Sequence, residues 1–103
     1  MYTLSGYLDE LREYFDSLSD SQPRIKDLRL DFCVFYGTLE YIVITAESGD
    51  PIVDGIQMRI KPHAENEEIT QFRIACSVRM MCNAIEYYDH GENSLFAEYR
   101  ERD

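Results

Sequence analysis

The sequence predicts an α+β domain in which a helix, a three-stranded antiparallel meander and a long C-terminal helix follow one another. Apolar residues recur with a period near 3.6 in the first twenty positions, alternate with period two between residues 28 and 61, and lie in a helix-forming segment at 67–90. We expect both helices to pack on one face of the sheet. With 103 residues, the chain 1–103 is predicted to be a single compact acidic domain.

The first helix is predicted over residues 4–19. Its inner stripe is apolar at helical spacing: Leu4, Tyr7, Leu8, Leu11, Tyr14, Phe15 and Leu18. The helix should end before Pro23, because a proline disfavours helical backbone at the residue that precedes it.

Three strands are predicted over residues 28–36, 39–47 and 56–61. Gly37 and Thr38 are expected to form the first connection, and the second should turn at the segment 48–51, where glycine and proline favour a turn. The strand 39–47 is apolar on both faces, which favours the central place in the sheet.

The segment 67–90 is predicted to be one long helix, because helix-forming residues dominate it, acids open it and His90-Gly91 closes it. A fourth strand over 70–79 followed by a shorter helix is the alternative, since that part also alternates. The tail 94–99 is expected to add either a helical turn or an edge strand.

A single helix at 67–90 would carry two apolar stripes, of which one sheet face can cover only one. The first contains Phe72, Cys76 and Met80; the second is centred on Val78, Met81 and Ile85. The first helix is expected to cover the second stripe. The competing hypothesis is that the second stripe forms a homodimer interface.

The chain carries 20 acidic and 10 basic residues, a formal net charge of −10. Such a charge repels phosphate backbones and anionic lipid surfaces, so we expect no direct nucleic-acid or membrane binding and a basic protein as the partner. The three cysteines, Cys33, Cys76 and Cys82, form no CxxC pair. Their apolar neighbours predict buried thiols in a reducing, cytoplasmic compartment.

No residue pattern supports catalysis, so the chain is predicted to be no enzyme and to need neither a metal nor an organic cofactor. The two histidines, His63 and His90, sit in no catalytic motif, and nucleotide-binding glycine patterns are absent. The acids Glu65, Glu67 and Glu68 lack the spacing of a calcium loop and fit a charged helix start.

The one feature that points to a function is an acidic ladder, formed by Asp9, Glu13, Asp16 and Asp20 on the outward face of the first helix. At about 1.5 Å rise per residue, its charges recur roughly every 5–6 Å. Tyrosines beside acids provide interface anchors, of which Tyr14 is expected to be one and Tyr88 another.

In its small size, acidity and lack of catalytic motifs, the chain is similar to phage-type inhibitors of host defence nucleases, such as anti-restriction and anti-CRISPR proteins. We therefore expect an inhibitor or regulator that blocks a basic, nucleic-acid-processing partner by presenting carboxylates in place of phosphates. The alternative is a non-enzymatic structural or regulatory module that binds its partner, or itself, through apolar surface, the acids serving solubility alone.

Overall fold

The computed structural model describes residues 3–90 and has the predicted α+β order. Its helices and strands are α1 (Leu4–Ser17), β1 (Leu28–Phe35), β2 (Thr38–Ala46), β3 (Gln57–Ile60) and α2 (Glu67–His90). Two short 3-10 turns, Leu18–Asp20 and Pro23–Asp27, connect α1 to β1. The tail 94–99 lies outside the described residues.

Helix α1 begins at Leu4 because Thr3 caps it: the Thr3 Oγ1 accepts a hydrogen bond from the Gly6 N–H at 3.0 Å. Leu11 and Phe15 are its buried residues. The helix ends at Ser17, two residues before the predicted end at 19, and tightens into a 3-10 turn.

Strands β1 and β2 form a hairpin whose two-residue loop is Tyr36-Gly37 rather than the predicted Gly37-Thr38. Both loop residues have positive φ, 51° at Tyr36 and 73° at Gly37. These angles are those of a type I′ turn, whose twist matches that of the flanking strands. Thr38 already pairs with Phe35 and begins β2.

A bulge at Glu40 changes which side chains of β2 reach the core. Cys33 pairs with Tyr41, but the next residue of β1, Val34, pairs with Leu39, so Glu40 is the extra residue. As a result Leu39 is buried, although alternation from Ile42 would place it on the opposite face.

The sheet order is β1-β2-β3, with both pairings antiparallel, which confirms the central place of β2. The helices cover one face of the sheet, where the buried residues are Leu28, Leu30, Ile42, Ile44, Ala46 and Ile60. Helix α1 lies by β1, and α2 lies by β2 and β3. The other face of the sheet carries the exposed side chains of Arg29, Tyr41 and Arg59.

The connection from β2 to β3 is a structured loop that inserts Val53 into the core with no exposed surface. The Asp54 carboxylate holds this loop: it accepts hydrogen bonds from the Ser48 N–H at 2.7 Å, the Ser48 hydroxyl at 3.0 Å and the Gly49 N–H at 3.0 Å.

Helix α2 spans Glu67–His90 as predicted, so the alternative of a strand over 70–79 is wrong. The helix starts where the Asn66 Oδ1 accepts a hydrogen bond from the Ile69 N–H at 3.3 Å. Ile74 and Val78 are fully buried.

The stripe centred on Val78, Met81 and Ile85 is part of the core, so the hypothesis that it forms a homodimer interface is wrong. The exposed stripe is the other one, in which Phe72 is 67% and Met80 60% exposed. Two arginines explain which side of α2 faces the sheet. Arg73 and Arg79 lie on either side of the Phe72 stripe, so burying that stripe would also bury their guanidinium groups.

The thiols are also less buried than predicted, since Cys33 and Cys76 are exposed and only Cys82 is buried. Burial raises the pKa of the Cys82 thiol to about 11, with a further contribution from the negative charges of Asp27 and Glu86. Neither helix, over residues 3–90, is both long and apolar enough to cross a membrane.

Candidate functional site

The acidic ladder lies on the solvent side of α1, opposite the buried Leu11. Asp9, Glu13 and Asp16 are exposed on the helix itself. Asp20 is exposed as well, but it belongs to the 3-10 turn that follows the helix. The ladder therefore consists of three helical carboxylates and one on a turn.

In the part of the chain that the structure describes, no cation pairs with the acidic ladder. Within residues 3–90, none of its four carboxylates forms a hydrogen bond or salt bridge. The one cation of α1, Arg12, is directed toward β1: its Nη2 donates to the Leu30 carbonyl at 3.1 Å, and its guanidinium carbon lies 5.3 Å from the centroid of the Phe32 ring. The packing thus removes this positive charge from the acidic face.

Two other arginines are ion-paired. The Arg29 Nε donates to the Asp31 Oδ2 at 2.7 Å, and its Nη1 pairs with Glu47. These two carboxylates, Asp31 first, raise the pKa of Arg29. Arg24 similarly donates from Nε to the Glu86 Oε1 at 2.6 Å.

The two tyrosines predicted as contact anchors differ in their exposure. Tyr14 is half-buried and packs against the core, so only part of it is accessible beside the ladder. Tyr88 is 40% exposed near the end of α2, and its ring centroid lies 5.0 Å from that of Tyr87. Only Tyr14 shares a helix with the ladder.

His63 has a structural role in the turn before α2. Its backbone N–H donates to the Thr70 Oγ1 at 2.9 Å, and its Nδ1 accepts a hydrogen bond from the Glu65 N–H at 3.2 Å. Across the part of the chain that the structure describes, no three His, Cys, Asp or Glu side chains are grouped closely enough to hold a metal ion. The His90 side chain lies outside the described atoms.

Two exposed surfaces are not among the predicted sites. The first is the tip of the β1-β2 hairpin, where Phe35 is 59% and Tyr36 93% exposed. The second is a groove between β3 and α2 that is lined by Arg59, Lys61 and Arg73. The signal for the groove was present, because the segments 55–64 and 69–85 contain no acid in a chain with 20 of them.

Comparison of the chain with protein-family models, with curated proteins and with solved structures finds no match.

Proposed function

We propose that this chain is a small acidic inhibitor or regulator that binds a basic, nucleic-acid-processing protein and blocks its phosphate-binding groove without catalysing a reaction. The observation that supports this proposal is the row of Asp9, Glu13, Asp16 and Asp20, which forms no ion pair within residues 3–90. The nearest cation in sequence, Arg12, is turned away from this row.

The row is suited to binding because it is rigid. Leu11 and Phe15 anchor α1 in the core, and Thr3 caps its first turn. The carboxylates therefore meet a partner with little loss of backbone freedom, which lowers the entropic cost of association. Complementary charge mainly accelerates encounter and selects the partner, so binding should weaken as salt is added.

The proposed partner is a nuclease or another protein whose groove binds a nucleic-acid backbone, as for anti-restriction and anti-CRISPR proteins. Such grooves present rows of lysine and arginine to phosphates. Carboxylates about 5–6 Å apart along a helix can pair with the same side chains. The exposed part of Tyr14, and Tyr88 where the interface extends along α2, would add aromatic contact area.

A pull-down from lysate of the source cells, or of the cells that the source infects, tests this proposal. The test variant reverses three ladder charges, Asp9/Glu13/Asp16→Lys. A matched control reverses three exposed acids elsewhere, Glu40/Glu65/Glu68→Lys, so both variants change the net charge equally. Adding Asp20→Lys to the test variant measures the contribution of the turn carboxylate.

We expect the wild type and the control to retain the same basic nucleic-acid-binding proteins, and the test variant to lose them. Heparin should release them, since it competes for the same cations. Equal retention by a folded test variant, or capture of proteins that heparin does not release, would refute the phosphate-mimicry proposal.

The second candidate function is an interaction module that binds through apolar surface. It is favoured by the exposure of Phe72 and Met80 on α2 and of Phe35 and Tyr36 at the hairpin tip. The same pull-down separates the two candidates, because a partner held by these residues would remain bound to the ladder variant and would resist salt.

A further inference from the structure

Among residues 3–90, no side chain covers the exposed apolar stripe of α2. Phe72, Cys76 and Met80 follow one another at intervals of four residues, all on the solvent side of the helix. Exposed large apolar residues in such a row favour contact with another protein surface. Packing against the sheet does not account for these apolar residues, because the opposite side of α2 covers the sheet.

Beside this stripe lies the basic groove between β3 and α2, which Arg59, Lys61 and Arg73 line together with Phe72 and Cys76. The Arg73 Nη1 donates to the Lys61 carbonyl at 2.7 Å, which joins the helix to the end of the strand. The Arg59 guanidinium turns to the sheet face away from the helices, where it lies 6.0 Å from the centroid of the Tyr41 ring. Lys61 and Arg73 are therefore the cations of the groove beside the solvent side of α2.

The cations of this groove, and the nearby Arg79, form no salt bridge with a carboxylate among residues 3–90, whereas Arg24 and Arg29 do. The groove is lined by cations and by no acid, so this surface carries charge of one sign. The groove is therefore complementary to an acidic surface, and the chain itself carries one on α1.

We propose that a second copy of this chain covers the stripe and the groove, in a two-fold dimer in which the acidic ladder of each copy faces the basic groove of the other. Helix α1 lies by β1, at one edge of the sheet, and the groove lies by β3, at the other edge. The acidic and the basic surface thus flank α2 on opposite sides.

A two-fold axis along the exposed stripe satisfies both surfaces. With this axis the exposed stripes of the two molecules contact each other. Helix α1 of each molecule then lies beside β3 of the other, so two identical contacts between ladder and groove form. An axis across the stripe would set ladder against ladder and is disfavoured by repulsion. This dimer places Phe72, Cys76 and Met80 in the interface, in place of the buried residues predicted from the sequence.

The dimer also has a consequence for binding of a basic partner, and only this consequence depends on the proposed function. Because self-association covers the ladder, the dimer competes with a basic partner for the same carboxylates. The monomer would then be the binding form, and its share would increase on dilution.

Charge exchange in the purified protein tests the dimer without any partner, so its outcome is independent of the proposed function. One variant makes the ladder basic, Asp9/Glu13/Asp16→Lys, and a second makes the groove acidic, Lys61/Arg73→Glu. Sedimentation velocity over a dilution series gives the dissociation constant of each, and circular dichroism verifies that each is folded.

We expect each variant alone to dimerise at least about tenfold more weakly than the wild type, because like charges then face each other. An equimolar mixture should restore association, since both contacts of the mixed dimer again join opposite charges. Phe72→Ser should weaken the dimer with no change in charge, and Glu40/Glu65→Lys, away from the exposed stripe, should not weaken it.

A wild type that sediments only as the 12.1 kDa monomer at every concentration would overturn the proposal. So would a mixture that associates no better than its components. Labelled single-stranded DNA gives the remaining outcome: if it binds a monomer and Lys61/Arg73→Glu abolishes the binding, the groove is a nucleic-acid site and the dimer is refuted.

Discussion

Truncation of Ile74 to alanine measures how the sheet is covered by α2. Ile74 is fully buried. The substitution removes three carbon atoms, which at about 0.8 kcal/mol per buried methylene is roughly 2.4 kcal/mol of transfer free energy. The cavity left behind adds to this, so we expect Ile74→Ala to lower the free energy of unfolding by about 3–4 kcal/mol.

Phe72→Ala is the comparison, because Phe72 lies two positions earlier on the same helix but is 67% exposed. With about a third of its surface covered, it should contribute less than about 1 kcal/mol. The two values therefore differ by a factor of at least about three, although phenylalanine is the larger side chain.

Urea unfolding followed by far-UV circular dichroism is the assay, performed at low protein concentration so that association contributes little. Ile74→Ala should lower the midpoint at an unchanged slope and reduce the melting temperature by more than about 10 °C. If Phe72→Ala destabilises the monomer more than Ile74→Ala does, α2 presents its other stripe to the sheet and the core described above is wrong.

Four further predictions concern the thiols, the β2-β3 loop and the hairpin. Iodoacetamide should label the exposed Cys33 and Cys76 in the native monomer, at a protein concentration below the dissociation constant of the dimer, and Cys82 only after unfolding, as counted by intact mass. Since the Cys82 pKa is raised from 9.0 to about 11, the folded state retains a proton that the unfolded state releases. Stability should therefore fall as the pH rises from 9.0 to about 11, by at most about 3 kcal/mol, with no such contribution in Cys82→Ala. Asp54→Ala should cost about 2 kcal/mol in urea unfolding, because it leaves the loop donors without their charged acceptor, and no loss would show that the loop does not depend on this carboxylate. Gly37→Ala should cost about 1–2 kcal/mol in the same assay, because the positive φ strains any residue with a Cβ; an unchanged midpoint would contradict the type I′ turn.

Much of the fold could be predicted from the sequence because its three periodic segments are long. The positions that could not be predicted depend on tertiary context. Leu39 is buried only because of the bulge at Glu40, which alternation does not encode. Val53 lies in a loop and shares no periodic pattern with a neighbour, so only the finished structure identifies it as core.

The rotation of α2 could not be read from apolar periodicity, since both of its stripes have helical spacing. The positions of Arg73 and Arg79 contained the missing information, because charged groups on both sides of a stripe disfavour its burial. A helical projection that includes the cost of burying charged groups would have predicted that the stripe containing Val78 is buried and that the stripe containing Met80 is exposed.

The exposure of the ladder could be predicted because one helix contains most of it. The groove could not, since Lys61 and Arg73 belong to different elements and meet only where α2 packs beside β3. Local sequence patterns therefore located the acidic surface and missed the basic one.

Net charge alone does not account for this arrangement of charges. If the acids served solubility alone, they could equally lie beside the cations and pair with them, as Asp31 and Glu47 pair with Arg29. Lys61 nevertheless has no carboxylate partner among residues 3–90, and Arg12 is drawn away from the ladder by the Leu30 carbonyl. Opposite charges kept on separate surfaces leave each surface able to bind an external partner of the other sign, which interspersed charges would not. The pairing of the charges, more than their number, is therefore the physical support for the proposed binding role of the acidic ladder.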